Sequence, residues 1–320
     1  GSNFIVERFI AGTKEVEGIE ITAFYSRTEE KAKEFADKFN IEHRFTNLEE
    51  MAKSDKIDAV YIASPNFLHG TQSKIFIRHK KHVLCEKAFA SNEKEAREVI
   101  NLAKENNVLI MEAMKTTTFP NFLKVKENLH KIGQVRKYVG SYCQYSSRYD
   151  KYKAGEILNA FKKELSNGAV MDIGVYTIAP MVNLFGKANS VKASGMLLET
   201  GVDGMGNALI SYDGIEAMVS YSKVSDSHMP SEIQGEKGTI IIDKINMFTN
   251  VKIVYRDGTV EDLTECHKEA DMCYEVQEFV DTINRGELES KMTPHSQTIE
   301  TLRIMDEIRR QVGVVYPADK

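Results

Sequence analysis

Two different patterns of hydrophobic and polar positions divide this chain near residue 114. Up to that point, short apolar runs alternate with charged segments of helical period. The runs 19–25 (IEITAFY), 57–64 (IDAVYIAS), 82–85 (HVLC) and 108–113 (VLIMEA) favour β-branched, aromatic or other apolar residues and read as strands. The nearly unbroken apolarity of 57–64 is that of a strand covered on both faces. Between the runs, 28–40, 47–54, 68–79 and 92–106 read as helices. Ser26 or Thr28 is placed to cap the first of these, and Asn47 and Glu50 have capping-box spacing. Repeated strand–helix–strand units predict an α/β fold with a doubly wound parallel sheet.

After Met114 the pattern becomes α+β. A helix over 120–131 leads into the alternating strand 134–145, and a further helix covers 168–185. Strands follow at 191–198, 207–212, 216–221, 231–235, 239–243 and 252–255, with turns at Asp213-Gly214 and Asp257-Gly258. Helices over 274–285 and 294–311 close the chain. The predicted division is therefore 1–114 for a nucleotide-type domain and 115–320 for an α+β domain with a mostly antiparallel sheet. The last helix is expected to pack back on the first domain.

Bulk properties narrow the functional classes. Of 320 residues, 42% are hydrophobic and 28% charged, and the net charge of −5 comes from interleaved positive and negative residues. No basic patch suggests nucleic acid. No apolar run approaches the roughly 20 residues of a membrane span, so no membrane partner is expected. The opening Gly-Ser-Asn gives way to charge at Glu7 and Arg8, unlike a secretory leader. The four cysteines form no CxxC pair, and Cys266-His267 with Cys273 fits no zinc pattern. Free thiols, no metal site and a cytoplasmic location are the expectation.

Candidate chemistry begins at the N-terminus. Gly1, Asn3, Phe4 and Ile5 lead into a helix whose backbone N–H groups suit a pyrophosphate. Asn3 stands where the second glycine of a dinucleotide fingerprint would be, and no strand precedes it. The strand that should open the sheet is thus expected to be missing from these 320 residues. At the end of the next strand, Ser26 and Arg27 occur with no acid before Glu29. A cation there suits a ribose 2′-phosphate, so NADP(H) is favoured, with NAD(H) the alternative.

The segments SPNFLHG (64–70), KHVLCEKAF (81–89) and GAVMDIGVYTI (168–178), in that order, resemble the glucose-fructose oxidoreductase / inositol dehydrogenase (Gfo/Idh/MocA) family. Within it they look most like the dimeric dihydrodiol dehydrogenase and NADP-dependent xylose dehydrogenase branch. The resemblance runs along essentially the whole chain. It implies an N-terminal Rossmann domain followed by an open-faced antiparallel sheet domain. The activity implied is hydride transfer between nicotinamide and a hydroxyl or carbonyl carbon of a small sugar, polyol or diol. A non-catalytic dinucleotide-binding regulator of the same fold is the alternative.

The resemblance also assigns roles. Family members carry Glu-Lys-Pro where this chain has Glu86-Lys87-Ala88, and the lysine reaches nicotinamide and substrate. Ala88 does not fix φ as proline would. Asp172 and Tyr176, four residues apart, complete the implied catalytic set. Tyr176 would exchange the hydroxyl proton and Lys87 would tune it and hold the substrate. Asp172 would orient Lys87 or a substrate hydroxyl. Ser64, Pro65, Asn66, His69 and Glu86 are expected along the cofactor, and Lys115 borders the site. A homodimer or homotetramer through the C-terminal sheet is the expected assembly.

Overall fold

Apolar residues bounded by turn-formers do become parallel strands in the first third of the chain, although the strands are shorter than the apolar runs. The computed structural model describes residues 4–320 and divides them into two units. The first unit runs to Ala90 and includes Lys94–Lys115 and Lys268–His295; the second holds Ser91–Glu93, Thr116–His267 and Ser296–Lys320. Its opening elements are α1 (Phe4–Thr13), β1 (Ala23–Tyr25), α2 (Glu29–Phe39), β2 (His43–Phe45) and α3 (Leu48–Lys53). β3 (Ala59–Ile62), α4 (His69–Arg78), β4 (His82–Glu86), α5 (Glu93–Asn106) and β5 (Ile110–Ala113) follow. Thr28 caps α2 and Asn47 caps α3, each accepting a backbone N–H.

All pairs here are parallel, in the orders β1-β2 and β3-β4-β5. Among the described residues the strands therefore form two sheets, because no described strand joins β1 to β3. A shared core links them all the same, with Phe24 and Phe35 packed beside Ala63, Val6 and Ile10. The helix Cys273–Asn284 also belongs to this unit. Its Val276 and Phe279 pack with Phe9, Leu84, Leu109 and Met111, at about 1.5–3 kcal/mol for each buried side chain. Arg8 and Lys115 both pair with Asp271 just ahead of it, at 2.6 and 2.7 Å. By its contacts a later segment, Lys268–His295, groups with the first unit, beyond the expected boundary after residue 114. The segment returning to the first unit is the penultimate helix, whereas the last, His295–Val312, lies in the second apart from His295.

The second unit is built on an eight-stranded sheet. Helix α6 (Pro120–Asn128), β6 (Val135–Cys143), α7 (Tyr149–Lys153) and α8 (Val175–Phe185) precede its remaining strands. These are β7 (Ser190–Leu197), β8 (Asp203–Tyr212), β9 (Ile215–Ser222), β10 (Ser231–Gly235), β11 (Gly238–Lys244), β12 (Thr249–Tyr255) and β13 (Val260–Asp262). The order is β13-β12-β11-β10-β6-β9-β8-β7, antiparallel except for the parallel pair β6–β9. Along β8, Ala208, Ile210 and Tyr212 are buried while Met205 and Leu209 are exposed, so one face is covered and the other bare.

The helix expected over 168–185 is interrupted. A π-helical turn, Val170–Gly174, precedes α8. The 23-residue segment Lys163–Phe185 is long and apolar enough for a membrane span, contrary to the expectation that no such run exists. Two thirds of its span-like window (67%) is buried inside the fold, so its apolarity is that of a core element.

Candidate active site

Parallel register sets the carboxyl ends of β3, β4 and β5 side by side, with Ile62 opposite Cys85 and Glu86 opposite Ala113. Ser64, Lys87 and Met114 leave the sheet at this edge, where open α/β sheets bind ligands. The Lys87 loop is pinned by several neighbours. The Glu86 carboxylate accepts the Lys87 N–H at 3.2 Å and the Tyr61 hydroxyl at 2.5 Å. Glu112 accepts the Phe89 N–H at 3.2 Å, and Ala88 is 1% exposed. Proline's ring is absent, but these contacts restrain the same loop. Burial raises the Glu86 pKa, opposed by the Tyr61 hydrogen bond and the Lys87 charge. The Glu86 side chain thus holds the Lys87 backbone and the Tyr61 hydroxyl.

His69 is wholly buried, with Nδ1 2.9 Å from the Ala88 carbonyl and Nε2 2.8 Å from the Ser64 carbonyl. It clamps the loops after β3 and β4 to each other. Burial pushes its pKa down, the two carbonyls oppose that, and the charge of Lys87 adds to the lowering. A neutral ring donates from one nitrogen only. With both ring nitrogens turned to backbone, His69 supports the edge through Ser64 and Ala88. Lys115, expected at the border of the site, pairs with Asp271 at 2.7 Å, and its charge also acts on Glu86. Burial would raise the Asp271 pKa, but Lys115 and Arg8 bring it below the usual value.

Gly1 and Asn3 lie outside the described residues; Phe4 and Ile5 form the first turn of α1. Ser26 is buried, its N–H donating to the Phe45 carbonyl at 3.1 Å, and Arg27 beside it is exposed. Pro65 and Asn66 open a 3₁₀ turn ahead of α4. The Ser64 hydroxyl is buried with no hydrogen-bond partner among the described residues, which leaves it bonding capacity to give to a ligand. A helix N-terminus, an exposed guanidinium and an unsatisfied hydroxyl fit a phosphorylated dinucleotide.

In the second unit the candidates are Asp172 and Tyr176. Asp172 sits on the π-helical turn and Tyr176 in the first turn of α8. Such turns occur often at functional sites. Asp203, from the start of β8, caps this segment by accepting the Ala169 N–H at 3.0 Å and the Val170 N–H at 2.8 Å. Burial raises its pKa to about 6 against those N–H bonds. Gly168 is required beneath it: φ is +146°, and a Cβ would lie 2.2 Å from the Asp203 carboxylate. Tyr176 meets Tyr142 edge to face, with ring centroids 5.8 Å apart.

One partner of Asp172 was not anticipated. Lys223, just past β9, forms an ion pair with its carboxylate while only 3% exposed. Nothing local in the sequence marks Lys223, which is 51 residues away. Among the described residues no group of three or more His, Cys, Asp or Glu is arranged to hold a metal ion.

Residues 1–114 match the model of an oxidoreductase family with an NAD-binding Rossmann fold, and residues 122–241 match the GFO/IDH/MocA C-terminal domain. The chain is 53% identical to a scyllo-inositol 2-dehydrogenase (NADP(+)), IolU, from Bacillus subtilis, over 100% of this chain and 98% of that one. It is 31% identical to a trans-1,2-dihydrobenzene-1,2-diol dehydrogenase from Danio rerio, covering 94% and 91% of the two. A levoglucosan dehydrogenase solved with NADH and levoglucosan shares the fold. Its TM-score is 0.86 at 18% identity, covering 97% of this chain and 95% of that one.

Proposed function

This chain belongs to the GFO/IDH/MocA family of nicotinamide-dependent oxidoreductases, and from that membership we propose that it interconverts a ring hydroxyl of a cyclic polyol with its ketone, preferring NADP(H). The observation that carries the reading is the pinned presentation of Lys87 at the carboxyl edge of β4, in a chain so like an NADP(+)-dependent inositol dehydrogenase.

The bound nicotinamide would supply hydride acceptance or donation at carbon. Its phosphates would be held at the start of α1, with Arg27 at the ribose 2′-phosphate and Ser64 donating from the neighbouring loop. Lys87 would hydrogen-bond the substrate oxygen and favour negative charge developing there. Tyr176 would take the hydroxyl proton during oxidation and return it during reduction. Asp172 would accept a hydrogen bond from a substrate hydroxyl. In each oxidation Tyr176 would pass the substrate's hydroxyl proton on to solvent.

A homo-oligomer formed through the bare sheet face accompanies this reading. Leu209 and Met218 pair across β8 and β9 there, at 54% and 37% exposure. A monomer mass in light scattering would remove it. The buried free thiols of Cys85 and Cys273 favour a reducing, cytoplasmic setting.

The test follows nicotinamide absorbance with scyllo-inositol, myo-inositol and a trans-dihydrodiol, each with NADP+ and NAD+. Turnover of a cyclic polyol, faster with NADP+, supports the proposal. Tight NADPH binding without turnover of any of them would turn the reading to a dinucleotide-binding regulator.

A further inference from the structure

A buried lysine ammonium needs compensation, because desolvating an unpaired charge is expensive. Lys223 has it from two sides: the Asp172 carboxylate, and the Phe161 ring, whose centroid lies 5.5 Å from Nζ. Its backbone is fixed as well. The Lys223 N–H donates to the Gly204 carbonyl at 2.9 Å, and its carbonyl accepts the Ser146 N–H at 2.9 Å. The lysine is therefore a rigid post, whereas the Asp172 side chain it holds is 31% exposed and open to solvent.

We infer that Lys223 is a positioning residue for Asp172, keeping that carboxylate ionised and aimed from the π-helical turn. The inference rests on the reading of Asp172 as a site residue. An opposite charge in contact favours the carboxylate form, so Asp172 stays an acceptor for a substrate hydroxyl into mildly acidic solution. The pair also fixes which way the turn ahead of Tyr176 presents its side chains. Among the described residues, the titratable groups near it include Tyr176, whose ring meets that of Tyr142, Asp203 at the cap, and Tyr221 on β9, which packs on Gly174. Tyr221 is held neutral, burial raising its pKa well above the ordinary value.

The test compares Lys223→Met, Lys223→Arg, Asp172→Asn and the double variant Lys223→Met/Asp172→Asn. Initial rates with scyllo-inositol and NADP+ are measured across pH, and melting curves report folding. Lys223→Met should move the acid limb of kcat/KM up by about one to three pH units. Lys223→Arg, which keeps the charge, should bring the limb back toward wild type. The double variant should be no slower than Asp172→Asn alone, because Lys223 acts through Asp172. It also removes both charges together, so it folds even if a single variant that strands one charge does not.

A wild-type acid limb in Lys223→Met overturns the inference. So does a loss from Lys223→Met that adds in full to that of Asp172→Asn, and either result leaves the reading of Asp172 standing. Wild-type turnover in Asp172→Asn overturns both.

Discussion

The Lys87 loop and the Asp172 turn are held in place by opposite means. Lys87 is fixed through the backbone of its loop: Glu86 accepts its N–H, His69 contacts the Ala88 carbonyl, and Glu112 accepts the Phe89 N–H. Most of these contacts end on backbone groups. Asp172 is held by charge from far along the chain, Lys223 gripping its carboxylate and Asp203 capping its turn. Shared backbone contacts make the first arrangement tolerant of single losses. The second depends on two buried charged groups, so it should respond more sharply to charge and pH.

The largest effect expected in the charged region is on the chemical step. Tyr176→Phe should lower kcat by roughly 10²–10⁴-fold, the range of a lost proton-transfer group, while NADPH affinity measured by fluorescence stays near wild type. An unchanged kcat would take proton transfer away from the second unit. Next comes the nucleotide end. Arg27→Glu should cost about tenfold to a hundredfold in kcat/KM for NADP+ and spare NAD+, since a charge-assisted hydrogen bond contributes about 1.5–3 kcal/mol. Equal losses with both cofactors would place Arg27 outside the 2′-phosphate site.

Smaller effects, on stability, separate the two regions by sign. His69 has a lowered pKa in the fold, so its stabilising contribution is present above the ordinary histidine value and fades as pH falls below it. His69→Gln should cost about 1–3 kcal/mol at neutral pH and less at pH near 5, read from denaturant unfolding. Asp203 has a raised pKa, so its contribution is fully present below the ordinary carboxylate value of 3.8 and lost as pH rises through about 6. Asp203→Asn should therefore gain stability relative to wild type as pH rises across that window. Parallel Tm-against-pH curves for wild type and Asp203→Asn would contradict the role given to burial there.

The same contrast explains what the sequence could disclose. The alternation of strands and helices, and the placement of Ser64, Lys87 and Met114 at strand ends, follow from local apolar patterning and short turns. Residues that far apart still meet predictably because parallel register aligns strand ends. The π-helical turn at Val170–Gly174 has no such signature, since an apolar helix reads alike with either pitch. Lys223 and Asp203 fall outside the strands read at 207–212 and 216–221, as ordinary charges, and only sheet order brings them to the Asp172 turn. Glu86 and His69 were legible as edge residues but not as inward-turned supports, because the side to which a side chain turns depends on packing. The return of 268–295 to the first unit was equally hidden, resting on contacts of Asp271, Val276 and Phe279 with residues far back in the chain.

The most direct test of the central claim is to measure NADPH binding and NADP+-dependent oxidation of scyllo-inositol in the same preparations of wild type and Lys87→Met. Wild type should do both. Lys87→Met should bind NADPH within a few-fold of wild type and lose roughly 10²–10⁴-fold or more in kcat. Undiminished turnover in Lys87→Met would contradict the account, because the residue presented at the edge of β4 would then take no part in the chemistry.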